Sequence, residues 1–212
     1  MSAARTALIV FARAPRLGAV KTRLAAGLGA SGAVDIYAAL LGHALRLAGQ
    51  WPGPRYLACA DPPSHAYFAQ LPAAASFALV LQRGRDLGTR MRAALADALA
   101  CHPSALLMGS DVVDNQLADL LAAGAHLQGA GEVVLGPVAD GGYWLIGTKL
   151  DQPTLFQSLP WGSSQVYAGT LQRCCALGLS VSELPLRHDI DQPADVQQHA
   201  AALAALPRVP LA

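Results

Sequence analysis

The sequence predicts an α/β fold: one domain over residues 1–212, with a mixed, mostly parallel sheet and helices on both faces. Three observations predict it. Short aliphatic runs alternate with helical patterns along the whole chain. Hydrophobic residues make up 53% of the 212 and charged residues only 14%, a composition that builds a core and excludes disorder. Only "VADGG" (138–142) separates two of the apolar runs. That is too short for a helical crossover, so one strand must run antiparallel to the others.

In chain order, residues 6–11 read as the first strand. Ser31 suits the N-cap of a helix running to about Ala48, with Val34, Tyr37, Ala38, Leu41 and Leu45 on its buried face and Gly49 as its stop. "RYLACA" (55–60) and "FALVLQ" (77–82) are the second and third strands. A helix follows from about Thr89 to Cys101, then a fourth strand, "SALLMGS" (104–110). Asp114 can cap a short helix to Ala123. "EVVLGP" (132–137) and "YWLIGTK" (143–149) are the fifth and sixth strands. Helices near 164–177 and 193–205 flank a last strand, "SVSELPL" (180–186).

Sites in such sheets gather where strands end at their carboxyl edge. Four loops there carry chemistry. The first, within "FARAPRLGAVKTRL" (11–24), holds Arg13, Arg16, Lys21 and Arg23 and no acid, in a chain whose net charge is only +1. Its small residues, Ala12, Pro15 and Gly18, allow close backbone approach to a ligand, and its cations, Arg13 among them, suit phosphates. Neither the P-loop nor the dinucleotide glycine pattern is present. The second loop, "GSDVVD" (109–114), puts Asp111 at the end of a buried strand, where a carboxylate can ligate Mg²⁺ beside phosphate oxygens. In the third, "GPVADGGYWLIG" (136–147), Gly141 and Gly142 permit a tight turn or close ligand contact. The fourth, "RHDIDQPADV" (187–196), offers Asp189 and Asp191 ahead of Pro193, and either could be a second metal ligand or a helix cap. Beside these, "LQRGRDLGTRM" (81–91) brings Gly84, Gly88 and Arg90 to the same edge, as part of a nucleotide or acceptor pocket or as a plain turn in which Asp86 pairs Arg83 or Arg85.

These loops, with "LPW" (159–161), are similar to bacterial proteins of the domain of unknown function 2064, also called selenodomain-associated transferase 1. That family lies in the GT-A-like superfamily of nucleotide-diphospho-sugar transferases, and the likeness runs from about Phe11 to Val196. The resemblance implies a Rossmann-like, GT-A-like sheet holding a nucleotide over its first strands. It implies that Lys21 and Arg23 face the nucleotide phosphates and that Asp111 and Asp191 bind Mg²⁺ or Mn²⁺. Lys21, Arg23 and Asp111 are then the catalytic set. Asp140, Gly141, Gly142, Tyr143 and Trp161 are expected to face the acceptor or sugar, with Tyr143 or Trp144 stacking on a ring. Three motifs depart from the family pattern. Val113 and Asn115 replace Pro and Leu after "GSD", "WGS" (161–163) replaces W-S-T, and "DQPADV" (191–196) replaces D-T-P-E-D-L.

The expected activity is transfer from a nucleotide donor to a small acceptor. Nucleotidyl transfer from a nucleoside triphosphate comes first, because four cations exceed what a diphosphate needs. Glycosyl transfer from a nucleotide-diphospho-sugar is the alternative, and non-catalytic nucleotide binding the third. Composition excludes other classes. A net charge of +1 with one short cationic cluster does not suit nucleic acid. No run nears 18 apolar residues, so no transmembrane helix is expected. The charged loop stands where a signal cleavage site would be, and the four cysteines lack metal or disulfide spacing, so buried thiols in a cytoplasmic protein are expected.

Overall fold

The strand β1 (Thr6–Ala12) is buried along its length except at half-buried Phe11, which places it in the middle of a sheet covered on both faces. The structure, a computed structural model, describes residues 6–212. β1 pairs in parallel with β2 (Arg55–Cys59) and with β4 (Ser104–Met108), and β3 (Ala78–Leu81) extends the sheet beyond β2. On the other side β6 (Tyr143–Thr148) runs antiparallel to both β4 and β5 (Val133–Pro137), and β7 (Val181–Glu183) pairs in parallel with β5. The strand order is β3-β2-β1-β4-β6-β5-β7. β6 alone opposes the rest, as the short turn before it requires.

Alternate side chains of each strand feed two cores. Leu8, Val10, Leu57, Leu106 and Met108 pack under α1 (Thr22–Gly49) and α4 (Leu117–Gln128). Ala7, Ile9, Leu107 and Leu135 pack under α3 (Leu87–Leu99) and α5 (Val166–Ala176). By length and composition α1 is apolar enough to cross a membrane. Here its Val34, Tyr37, Leu41 and Leu45 are spent on the sheet.

Several boundaries differ from the sequence expectation. The helical stretch α1 begins at Thr22, ahead of Ser31, and Gly29 (φ 71°, ψ 166°) interrupts it with a non-helical kink, so its second helical segment starts close to the expected Ser31. Helix formers fill "TRLAAGL", so the preceding turns are helical too. α2 (Pro62–Gln70) was not expected, although its start signal is plain: Asp61 caps the Ser64 amide at 2.8 Å and Pro62 opens the helix. α3 starts at Leu87 behind an Asp86–Thr89 capping box. The last helical stretch divides at His199 into α6 (Pro193–Gln198) and α7 (Ala200–Ala204). Cys59 and Cys174 are buried as expected, whereas Cys101 and Cys175 are exposed.

Asp114 does not cap α4, which starts behind Gln116 and Asp119. It clasps the chain ahead of α6 instead. Its carboxylate accepts the His188 amide and the His188 ring Nδ1, both at 2.9 Å. Around that clasp the two segments pair antiparallel. Val112 bridges Asp189, the Val113 amide donates to His188, and the Ile190 amide donates to Asp111. Val113 and Ile190 then bury together against Leu24 and Leu40 of α1 and Leu203 of α7, each burial contributing about 1.5–3 kcal/mol. This pairing brings Asp111 and Asp191 to one place. Asp114→Ala should cost about 1–3 kcal/mol of stability, the usual loss when a charged hydrogen-bond partner is removed. Denaturant unfolding measures it, and an unchanged midpoint would show that the clasp contributes nothing.

Candidate active site

The loop after β1 ends at Lys21, which takes a left-handed backbone (φ 48°, ψ 47°) at the N-terminus of α1. A residue with a side chain pays about 1–2 kcal/mol for that conformation. What holds it there is on the side chain. The Lys21 ammonium lies 2.6 Å from Asp111 Oδ1 and 2.8 Å from Asp191 Oδ1, and the side chain is only 6% exposed. Burial works against its charge, but the two carboxylates outweigh it and raise its pKa above the ordinary 10.5. Arg23, largely exposed, reaches the other oxygen of Asp191 at 3.4 Å.

These residues line a cleft of about 320 Å³ with Arg13, Val20, Thr22 and Tyr37. Asp111 and Asp191 remain 48% and 37% exposed on its wall, so each turns some surface to the cleft while gripping Lys21. Two carboxylates converging on one cation, with room beside them for phosphate oxygens, are a donor set that fits Mg²⁺. No group of three or more His, Cys, Asp or Glu side chains converges as a metal cage among the described residues.

The loop's positive charge is less free than its sequence suggests. Arg16 pairs with Asp61 at 3.1 Å, and Arg13 approaches the same carboxylate at 3.9 Å. Burial opposes the charge on Asp61, but the Ser64 hydrogen bonds and the two arginines hold its carboxyl below the usual value. All four cations are thus within reach of an aspartate; Arg13, Lys21 and Arg23 line the cleft, and Arg16 does not.

A second pocket, of about 220 Å³, shares Asp111 with the first. Tyr143, Trp144, Trp161, Met91 and Leu87 form its apolar lining, and Asp140 and Asp189 join Asp111 as its charged groups. Trp161 is locked. It stacks on Phe156, meets Tyr143 edge-on and lies against Gly88, where a Cβ would come within 2.4 Å of the indole. Gly141 (φ 88°) makes the turn before β6, and a Cβ there would strike the Ser164 carbonyl. Burial, then the charges of Asp140 and Asp191, push Asp189 up to about 6.

The expected site residues therefore divide. Arg13, Lys21, Arg23, Asp111 and Asp191 meet in the first cleft. Asp140, Gly142, Tyr143 and Trp161 meet in the second pocket, with Gly141 shaping its turn. Ala12 is buried at the end of β1, and Gly18 bends the loop with positive φ; neither lines the cleft. Gly84 and Arg90 bond to one another, Arg90 Nε to the Gly84 carbonyl at 3.0 Å, and Gly88 makes room for Trp161. Asp86 caps α3 and pairs with Arg85 at 3.7 Å, one of its two expected partners, whereas Arg83 pairs with Asp97. Sequence reasoning missed Tyr37, whose hydroxyl accepts the Arg13 amide and donates to its carbonyl. A tyrosine in an apolar helical stripe reads as core, so nothing in the sequence marked it.

Residues 43–163, more than half of the chain, match the family described as "Uncharacterized protein conserved in bacteria (DUF2064)". The chain belongs to the DUF2064 family. No curated protein matches it. Among solved structures it resembles a protein of Desulfovibrio desulfuricans G20 provisionally named a nucleotide-diphospho-sugar transferase. The two are 25% identical over 94% of this chain and 97% of that one, with a TM-score of 0.82. CMP:2-keto-3-deoxy-manno-octonic acid synthetase, solved with CTP, shares the fold at 14% identity, 94% and 98% coverage and a TM-score of 0.55. Glucosyl-3-phosphoglycerate synthase of Mycobacterium tuberculosis, solved with Mn²⁺, UDP and glucosyl-3-phosphoglycerate, does so at 13% identity, 94% and 76% coverage and a TM-score of 0.50.

Lys21→Met should lower stability by about 1–3 kcal/mol at neutral pH, because two carboxylates lose a shared charged donor. The folded pKa of Lys21 lies above 10.5, so its contribution is complete below that value and fades as pH rises past it. Unfolding curves of both proteins from neutral to strongly alkaline pH should converge at the alkaline end. A gap that stays constant there would contradict the ion-pair assignment.

Proposed function

We propose that this DUF2064 protein is a transferase with a nucleotide donor, and that Asp111 marks the junction between donor phosphates and transferred group. The observation that carries this is the pair of cavities meeting at one carboxylate. The first is polar and cationic and lies at the start of α1, where free backbone N–H groups of the first turn favour phosphate. The second is aromatic and holds no cation.

Arg13 and Arg23 neutralise the donor's phosphates. Lys21 holds Asp111 and Asp191 together. Those two carboxylates would hold Mg²⁺ or Mn²⁺, which when bound adds countercharge at the phosphates. The rings of Tyr143 and Trp161 present flat apolar faces, and Asp140 and Asp189 offer hydrogen-bond acceptors.

Of the two reactions open from the sequence, this geometry favours glycosyl transfer. The argument for a triphosphate was the surplus of cations, and each of the four lies within ion-pair reach of an aspartate. With that surplus offset, the cleft suits a diphosphate, next to a pocket shaped for a ring. An acceptor hydroxyl oxygen would then bond to the sugar's anomeric carbon while the bond from that carbon to the diphosphate oxygen breaks. The hydroxyl proton leaves to a carboxylate of the second pocket, and a nucleoside diphosphate departs. Nucleotidyl transfer is the second reading, favoured by the helix N-terminus in the cleft and by the fold shared with a CTP-bound synthetase.

Phosphorus NMR on mixtures of nucleoside triphosphates, nucleotide-sugars and cell extract separates them. Nucleoside diphosphate from a nucleotide-sugar is the expected product. Pyrophosphate instead would establish nucleotidyl transfer, and neither product would refute the enzyme. Arg23→Ala should weaken nucleotide binding about ten- to a hundredfold, the worth of one charged hydrogen bond, with little change in stability because the side chain is exposed. Calorimetric titration of UDP and CTP measures it, and wild-type affinity would remove Arg23 from the phosphate site.

A further inference from the structure

The charge pattern of the second pocket narrows what it can hold, on the transferase reading above. Three carboxylates line it, Asp111, Asp140 and Asp189, and no Lys, Arg or His among the described residues does. Lys21, the partner of Asp111, lines the other cleft. Asp140 uses one oxygen on the Gly142 amide at 2.7 Å, which leaves the second free. Asp189 is half-buried and in no ion pair among the described residues, and the hydrogen bond its carboxylate accepts comes from its own backbone amide. A half-buried carboxylate with so little countercharge is costly unless a ligand supplies more.

The opposite wall is fixed and apolar. Trp161 cannot retreat, because Gly88 and Phe156 hold its indole. The pocket therefore offers aromatic faces and hydrogen-bond acceptors, with no positive charge. A hydroxylated ring meets both demands, with its C–H face on the aromatics and its O–H groups on the carboxylates. A phosphate or carboxylate would enter beside two unpaired carboxylates, and like charges brought together cost several kcal/mol.

We propose that the second pocket takes an uncharged or amine-bearing hydroxylated ring and rejects phosphorylated or carboxylated ones. The ring belongs either to the donor's sugar or to the acceptor, and its chemistry is the same in both cases.

Saturation-transfer NMR on the full chain tests this with glucose, glucosamine, glucose 6-phosphate and glucuronate as probes. Glucose and glucosamine should bind, and the two anions should bind at least about tenfold more weakly. In Asp140→Asn and Asp189→Asn the gap between glucose and glucose 6-phosphate should shrink. Displacement of glucosamine by UDP-glucose would assign the ring to the donor, and simultaneous binding would assign it to the acceptor; both agree with the proposal. Glucose 6-phosphate binding as tightly as glucose, or no ring binding at all, would overturn it. Titration with UDP and CTP keeps this separate from the transferase reading. If neither nucleotide binds while the preference for uncharged rings persists, the reading fails and the pocket assignment stands.

Discussion

One ammonium group holds the candidate site together. Lys21, Asp111 and Asp191 come from the start of α1, the exit of β4 and the approach to α6. Two carboxylates turned toward the same point repel each other, and a buried lysine between them converts that repulsion into attachment. The left-handed backbone at Lys21 is the conformational cost of aiming the side chain inward. The clasp between Asp114 and His188 supports the same arrangement from behind, and the burial of Val113 and Ile190 anchors it on α1. Val113 stands where the family pattern has proline, and in this chain that position serves the core.

Much of the fold was legible because it rests on local signals. Seven aliphatic runs mark seven strands, and the length of the turn before Tyr143 is enough to reverse β6. Boundaries were less legible where two signals compete. Ser31 is a good cap residue and lies just past the kink at Gly29, but the turns before that kink hold equally good helix formers and are helical as well. Asp114 is a good cap residue too, but a histidine far along the chain takes its carboxylate.

The site was legible at the residues that carry charge and obscure in how those charges cancel. A count of cations within one loop cannot register Asp61, which arrives from the end of β2, or Asp111 and Asp191, which arrive from two further loops. Glycines misled for a related reason. Gly88 is small so that a tryptophan can lie on it, and that tryptophan is more than seventy positions away. A glycine read from sequence shows that something comes close, and only the fold says whether it is a ligand or a neighbour.

Asp111 belongs to both cavities. Whatever neutralises or turns that carboxylate from one side alters the field felt on the other. Thermodynamic reciprocity then requires the effect to be equal in both directions: a ligand in the cleft changes the affinity of the pocket by the same factor with which the pocket's occupant changes the cleft. On the proposed reading, this one shared side chain couples the donor cleft and the ring pocket, and the coupling needs no shift of a helix or domain.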